Sequence, residues 1–173
     1  MKARTLLVFH SRTGYTRAIA SEIAAACDCD VEELRDEVGR GGLVGWVRSA
    51  FEAVSRFDTL LQPTRHDPAA YDLVIVGTPV WFWSLSSPVR TWLRRHRAKL
   101  AKVAFFCTCG SSGERRVLAD FEALCGAAVA SLALTDGEID AGAHTGKVAA
   151  FVAQIAPRAP RATRATRATR ATR

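Results

Sequence analysis

Residues 5–16, which read TLLVFHSRTGYT, decide the fold of this chain. The first part, Thr5–Phe9, is a short apolar-rich run, which is typical of a strand buried on both faces of a parallel sheet. The second part, residues 10–16, is polar, contains one glycine and leads into Ile19 and Ile23 at helical spacing. A strand, a short loop and a helix are therefore predicted in this order.

The same alternation of apolar runs and amphipathic stretches continues along the chain. Four more runs are predicted as strands: 31–34, 73–77, 103–107 and 128–134. The connection 35–72 is longer than a simple loop needs, and its apolar residues between 43 and 54 predict an amphipathic helix. Strands that alternate with helices indicate a parallel sheet covered on both faces. We expect an α/β fold of three layers with five strands and five helices.

Cap residues place the starts of two further helices. Ser87 is in position to cap a helix whose first residue is Pro88. Ser111 and Glu114 have the spacing of a capping box ahead of a third apolar stripe. A last stripe over residues 148–155 predicts the helix that closes the domain.

The basic charge of the chain is concentrated at its end. Of 173 residues, 24 are Lys or Arg and 17 are Asp or Glu, so the formal net charge is +7. The last sixteen residues contain six arginines and no acid, and without them 18 basic side chains face 17 acidic ones. A basic nucleic-acid-binding body is therefore not supported, and we expect no specific nucleic-acid partner.

We divide the chain into a domain, 1–157, and a tail of R-A-T repeats, 158–173, which is expected to be disordered and without a partner. Electrostatic binding of the tail to nucleic acid or an anionic membrane is the alternative.

Hydropathy and cysteine content indicate a cytoplasmic protein. The longest uncharged stretch, 73–89, is interrupted by glycine, proline and serine, so no transmembrane segment is expected. The apolar run near the N-terminus is too short for the core of a signal peptide. Five cysteines are an odd number and show no zinc spacing with histidine, which favours free thiols and no metal site.

Three loops follow predicted strands, where ligands bind in open parallel sheets. The first loop, residues 10–16, offers hydroxyl groups and the free N–H groups of a helix start, which suit a phosphate. An ordinary cluster of capping residues explains it equally well. It is not a Walker A loop, because the Gly-Lys-Ser/Thr ending is absent.

The other two loops differ in chemistry. The second loop, residues 78–84, carries three consecutive aromatic residues, one of which could stack on a flat ligand; we expect Phe82 to be a packing residue instead. The third loop, residues 108–113, is small, polar and rich in glycine, so its backbone can approach a ligand closely. A phosphate cradle, an aromatic wall and a backbone-rich loop on one edge together predict a mononucleotide site.

These loops resemble those of the flavodoxin family. SRTGYT at 11–16 is similar to the S/T-x-T-G-x-T phosphate loop of that family. VIVGTPVWFWSLSSPVRTWL and AFFCTCGSSG, which begin at 74 and 104, resemble its second and third FMN-binding loops. The resemblance covers most of residues 3–156. It implies FMN as cofactor and a doubly wound five-stranded parallel sheet of order 2-1-3-4-5, the strand order for which flavodoxins are the standard example.

The resemblance also implies which residues bind FMN. Its phosphate would be surrounded by Ser11, Thr13, Gly14, Tyr15 and Thr16, with a backbone amide from Arg12. The isoalloxazine ring would be lined by Thr78, Pro79, Val80 and Trp81, with Trp81 or Trp83 stacked on it. Polar contacts to the pyrimidine end of the ring would come from Cys109, Gly110, Ser111 and Gly113.

The expected function is electron transfer by bound FMN to a partner protein or a small acceptor. No side chain is assigned as catalytic, and His10 and the cysteines are interpreted as structural. The third loop has no aromatic residue, which points towards the alternative of a reductase that uses reduced nicotinamide and a quinone. A binding module that has lost FMN is a further alternative, which the intact first loop disfavours.

Overall fold

The computed structural model of the chain describes residues 4–36 and 59–156. The strands in these ranges are β1 Thr5–Phe9, β2 Asp30–Glu33, β3 Leu73–Trp81, β4 Ser84–Leu85, β5 Val103–Cys109 and β6 Ser131–Thr135. The helices are α1 Tyr15–Cys27, α2 Ser87–His96, α3 Glu114–Cys125, α4 Asp136–Asp140 and α5 Thr145–Ile155, with short 3₁₀ turns at Pro68–Ala70 and Arg97–Lys99. The helix expected between 43 and 54 and the tail 158–173 lie outside the described residues.

Five of the described strands form one parallel sheet in the order β2-β1-β3-β5-β6. Counted along the chain without β4, this is the order 2-1-3-4-5, so the expected doubly wound α/β fold is confirmed. β4 is a two-residue strand that runs antiparallel to the end of β3. The strand β3 therefore runs four residues beyond its expected end at Gly77, because β4 pairs with its last two residues.

Alternating side chains of β1 enter two separate apolar cores. Leu6 and Val8 of β1 belong to the core that α2 and α3 cover. Leu7 and Phe9 belong to the core that α1 and α5 cover. This alternation places helices on both faces of the sheet, as a strand without a polar face requires. No helix in the described ranges is long and apolar enough to cross a bilayer.

A close contact between β3 and β5 explains a glycine in the centre of the sheet. Gly77 is paired with Phe106 across the two strands. A Cβ atom at residue 77 would lie 2.2 Å from Cζ of the Phe106 ring. Phe106 is fully buried, so its ring occupies the space that a side chain at residue 77 would need.

The residues predicted to cap α2 and α3 do not cap these helices in the structure. Ser87 is the first residue of α2 rather than its cap, and Ser86 in the cap position makes no side-chain cap bond. The Ser86 hydroxyl instead accepts a hydrogen bond from the Thr78 hydroxyl at 3.0 Å. The capping box expected at Ser111 is also wrong, because Gly113 precedes α3 with no side-chain cap bond.

A capping box that was not predicted from the sequence lies at the start of α4. The Thr135 hydroxyl accepts a hydrogen bond from the Glu138 N–H at 3.2 Å, and the Thr135 N–H donates to the Glu138 carboxylate at 2.9 Å. α4 directly follows β6, so Thr135 both ends the strand and caps the helix. This places Asp136 beside the ends of the neighbouring strands.

Candidate functional site

The carboxyl ends of β1, β3 and β5 meet at one edge of the sheet, and a cavity of about 430 Å³ opens there. Its walls come from the first, second and third loops and from the start of α4. The lining residues are Arg12, Thr13, Pro79, Val80, Trp81, Phe82, Thr108, Cys109, Gly110 and Asp136. A cavity of this size is within the range of small-molecule sites, which is roughly 300–1,000 Å³.

The first loop is folded around the hydroxyl of Ser11. This oxygen accepts hydrogen bonds from the N–H groups of Gly14 and Arg17, each at 3.2 Å. Gly14 has a φ of +105°, a backbone conformation that a side chain would strain. The N–H groups of Tyr15 and Thr16 are in the first turn of α1, where an intrahelical acceptor does not exist. The loop and the helix dipole together suit an anion.

Two side chains of the first loop are engaged with other parts of the protein. The Thr16 hydroxyl lies 2.8 Å from the Thr108 hydroxyl, and both side chains are buried. The Tyr15 hydroxyl donates to the Asp140 carboxylate at 3.0 Å, which raises the pKa of the phenol. Thr16 thus joins the first loop to the third, whereas the Tyr15 hydroxyl is directed to α4.

The second loop ends in a tight turn of bulky aromatic residues. Trp81 and Ser84 pair across the hairpin of β3 and β4, and the two residues between them have φ values of +47° and +57°. Positive φ at both central residues is the geometry of a type I′ turn, which matches strand twist but normally takes Asn or Gly. Each bulky residue held there costs on the order of 1–3 kcal/mol. We call residues 81–84 the aromatic turn.

The aromatic turn directs its three rings to different places. Trp81 lines the cavity, and its ring is perpendicular to that of His10, with 5.4 Å between the centroids. Phe82 is 44% exposed at the cavity, and Trp83 is 56% exposed. The expectation that Phe82 is a packing residue is therefore wrong, because the left-handed turn projects it outward. Trp83 instead lies against Gly113, where an added Cβ would be 3.0 Å from Cδ1 of the indole.

Residues of the third loop line two neighbouring cavities. Cys109 and Gly110 line the 430 Å³ cavity. Ser111 lines a second cavity of about 450 Å³, which also reaches Cys109. Gly113 has a φ of +111° and lies so close to Val80 that a Cβ would be 2.9 Å from Cγ1. Gly113 therefore joins the third loop to the second.

The predicted site residues are thus brought together only in part. Those that line the cavity are Arg12, Thr13, Pro79, Val80, Trp81, Cys109 and Gly110. Those that support its walls from outside are Ser11, Gly14, Thr16, Thr78 and Gly113. Tyr15, Trp83 and Ser111 do not line the cavity, and of these three Trp83 touches the third loop at Gly113.

Three lining residues were not predicted: Phe82, Thr108 and Asp136. Asp136 follows the last strand of the sheet, so the rule that sites form at strand ends could have found it. Burial raises the pKa of the Asp136 carboxyl, with a smaller contribution from the nearby Asp140 charge. An acidic and a basic residue, Asp136 and Arg12, thus line the same cavity.

The titratable groups nearest the cavity are poorly suited to covalent chemistry. Burial raises the pKa of the Cys107 thiol to about 12, and burial together with Glu114 raises that of Cys109. A thiol held protonated is a weak nucleophile. The Nδ1 atom of the His10 ring lies 2.9 Å from the Leu34 carbonyl oxygen, which fits the structural interpretation. Among residues 4–36 and 59–156, no cluster of side chains could hold a metal ion.

The comparison with known protein families identifies the family of this chain. The family model for flavodoxin matches residues 4–155, which is nearly all of the described chain. The chain belongs to the flavodoxin family. No curated protein sequence matches it.

Several solved structures share the fold of this flavodoxin-family protein. A flavoprotein from Lactobacillus acidophilus in complex with FMN is 23% identical, with 80% of this chain and 97% of that one covered and a TM-score of 0.66. A candidate flavoprotein from Bacteroides eggerthii is 18% identical, with 87% and 98% covered and a TM-score of 0.71. An NADH:FMN oxidoreductase in its apo form is 14% identical, with 91% and 92% covered and a TM-score of 0.51.

Proposed function

We propose that this protein binds FMN in the 430 Å³ cavity and transfers electrons to a partner protein or a small acceptor. The observation that carries the proposal is the convergence of all three predicted loops on one cavity at the carboxyl edge of the sheet. The family match and the FMN complex of the Lactobacillus flavoprotein support the choice of cofactor. When bound, FMN supplies the redox chemistry, since the isoalloxazine ring accepts and releases electrons.

The first loop is suited to the phosphate of FMN. Thr13 lines the cavity beside the N-terminus of α1, where the Tyr15 and Thr16 N–H groups need an acceptor. An anion at this position also gains from the positive end of the helix dipole. The Ser11 hydroxyl already accepts from two N–H groups, so we assign it the role of shaping the loop rather than of holding the phosphate.

The second and third loops are suited to the flavin ring. Trp81 and Phe82 provide flat apolar surface on one side of the cavity. Cys109 and Gly110 provide backbone groups on another side, and Gly110 has open space where a side chain would be. Since Phe82 is half exposed, a ring beside it would keep an edge near solvent, as electron exchange with a partner requires.

Titration of the purified protein with FMN tests cofactor binding. We expect quenching of flavin fluorescence with one equivalent bound. Replacing Thr13 and Thr16 together by Val should weaken binding about ten- to hundredfold, because the Thr13 hydroxyl no longer donates to the phosphate and the Thr16–Thr108 hydrogen bond that joins the first loop to the third is lost.

Single variants and a matched control sharpen this titration. Thr13→Val should weaken binding without loss of stability, whereas Thr16→Val also leaves the buried Thr108 hydroxyl without its partner and should lower stability by about 1–3 kcal/mol. Thr145→Val, an exposed position at the start of α5, is the control. Equal FMN affinity in the double variant and the wild type would remove the first loop from the site.

A second candidate function is an FMN-dependent reductase that takes hydride from reduced nicotinamide and passes electrons to a quinone. It is favoured by the third loop, because residues 108–113 contain no aromatic side chain that could stack on the flavin ring. Turnover of NADH or NADPH with a quinone, measured with no other protein present, would support this candidate. Reduction only through a partner protein would support the electron carrier.

We also propose a cytoplasmic location. All five cysteines are free thiols. Free cysteines are the usual state in a reducing compartment. Fractionation of the source cells with an antibody against the protein would test the location directly.

A further inference from the structure

We propose that Arg90 is a positioning residue that holds the aromatic turn in the shape required for the flavin ring. The inference rests on the proposed function, because the ring of FMN is the ligand that the turn would contact. Arg90 belongs to α2 and is buried, although it carries a charge. A buried guanidinium is stable only when acceptors satisfy its N–H groups.

Two acceptors of Arg90 lie on the return strand of the aromatic turn. Its Nη2 atom donates to the Leu85 carbonyl oxygen at 2.7 Å and to the Ser84 hydroxyl at 3.0 Å. Both residues form β4, which is only two residues long. A strand of this length has little stability of its own. It is held by pairing with β3, by burial of Leu85 in the core and by these hydrogen bonds from α2.

The turn needs this support because its backbone is strained. Phe82 and Trp83 occupy left-handed conformations that bulky side chains rarely adopt. Such conformations persist only where the surrounding structure holds both ends. The end of β4 is tied to β3 by the Thr78 and Ser86 hydroxyls, and its beginning is tied to α2 by Arg90. Loss of the second tie should let the turn relax and move Trp81 and Phe82 out of the cavity wall.

Replacement of Arg90 should therefore weaken binding of the ring and leave binding of the phosphate alone. Arg90→Met keeps a long apolar side chain without the donors, and Arg90→Lys keeps the charge without the planar fork. If the turn keeps its binding shape about one-tenth of the time, the apparent Kd rises about tenfold. We expect this rise for FMN and for riboflavin, which lacks the phosphate, so that the ratio of the two Kd values stays that of the wild type. The visible absorption bands of bound FMN should also shift towards those of free FMN.

Two further variants keep the test decisive. Arg95→Met, an exposed position on the same helix, is the matched control and should leave both Kd values unchanged. Ser84→Ala removes one acceptor of Arg90 at a half-buried side chain and should raise both Kd values by a smaller factor. Ser84→Ala thus gives an answer even if both Arg90 variants fail to fold.

The results that overturn the proposal are specific. Folded Arg90 variants whose Kd values stay within about twofold of the wild type would show that Arg90 serves the fold alone. A change confined to FMN, with riboflavin unaffected, would show that Arg90 acts on the phosphate through its charge.

If the wild type takes up neither ligand, the proposed function fails. The positioning role is then measured in the ligand-free protein, where amide hydrogen exchange in residues 81–85 should be faster in Arg90→Met than in the wild type; unchanged exchange would refute it.

Discussion

Single residues decide what the cavity can hold. Gly110 lines it, and a Cβ at this position meets no atom within 4 Å, so the ligand-free protein has room for a side chain. The same space is where we place the flavin ring. A larger residue at 110 is therefore a selective probe of the ligand rather than of the fold.

We predict that Gly110→Leu weakens FMN binding about tenfold and changes the free energy of unfolding by less than about 0.5 kcal/mol. FMN titration and urea denaturation of the ligand-free protein measure the two quantities. Gly146→Leu in α5, which also has open space around its Cβ, is the control for added volume. Unchanged FMN affinity in Gly110→Leu would place the ring elsewhere.

For single residues, the sequence prediction is limited by contacts and backbone angles that local patterns do not show. SRTGYT is compatible with both a phosphate loop and an ordinary cluster of capping residues, and in the structure the Ser11 hydroxyl accepts hydrogen bonds from two N–H groups of the loop and of α1. That Thr16 is bonded to Thr108 was not readable, since the two residues are 92 positions apart. Phe82 was misjudged because a positive φ is not expected for an aromatic residue.

Individual elements show why some boundaries could be predicted and others could not. The three central strands β1, β3 and β5 could be predicted from apolar runs, because burial on both faces leaves little room for polar residues. The starts of α2 and α3 were misplaced, because Ser86 bonds to Thr78 and Gly113 packs against Val80. Both contacts come from neighbouring elements, which local sequence patterns do not encode.

The contact between β3 and β5 makes a prediction about stability. Gly77→Ala places a methyl group against the fully buried Phe106 ring, and overpacking of this kind costs about 1–3 kcal/mol or more. Urea denaturation should show the loss, and Gly146→Ala should not. The double variant Gly77→Ala, Phe106→Leu should lose less than the sum of the two single variants, because the ring is the obstacle. An additive result would contradict this explanation.

On the scale of the whole molecule, the first and last described helices are joined by one polar contact. The Nε2 atom of His144, at the start of α5, lies 3.0 Å from the Glu22 carboxylate of α1. This hydrogen bond raises the pKa of His144 above its usual 6.5. His144 is buried whereas Glu22 is partly exposed, so solvent screens the pair.

A pH dependence follows from this pair. A histidine whose pKa is raised by folding stabilises the protein fully below its unfolded pKa, and this contribution is lost as the pH rises through the folded pKa. We predict that the unfolding free energy falls by up to about 1 kcal/mol as the pH rises from 6 to 8.5, with less effect at high salt. Glu22→Gln should flatten this part of the profile. An identical profile in Glu22→Gln would assign the dependence to other groups.

The packing of α5 against α1 also has a consequence for the order in which the protein is made. Ile19 and Ile23 of α1 share a core with Val148 and Phe151 of α5. α5 therefore leaves the ribosome well over a hundred residues after α1. At a synthesis rate of about 5–20 residues per second, α5 is made on the order of ten seconds after α1, and until then the sheet face that the two helices share is covered by α1 alone. During that interval the apolar side of α1 can bind chaperones, and this core is complete only when α5 is released.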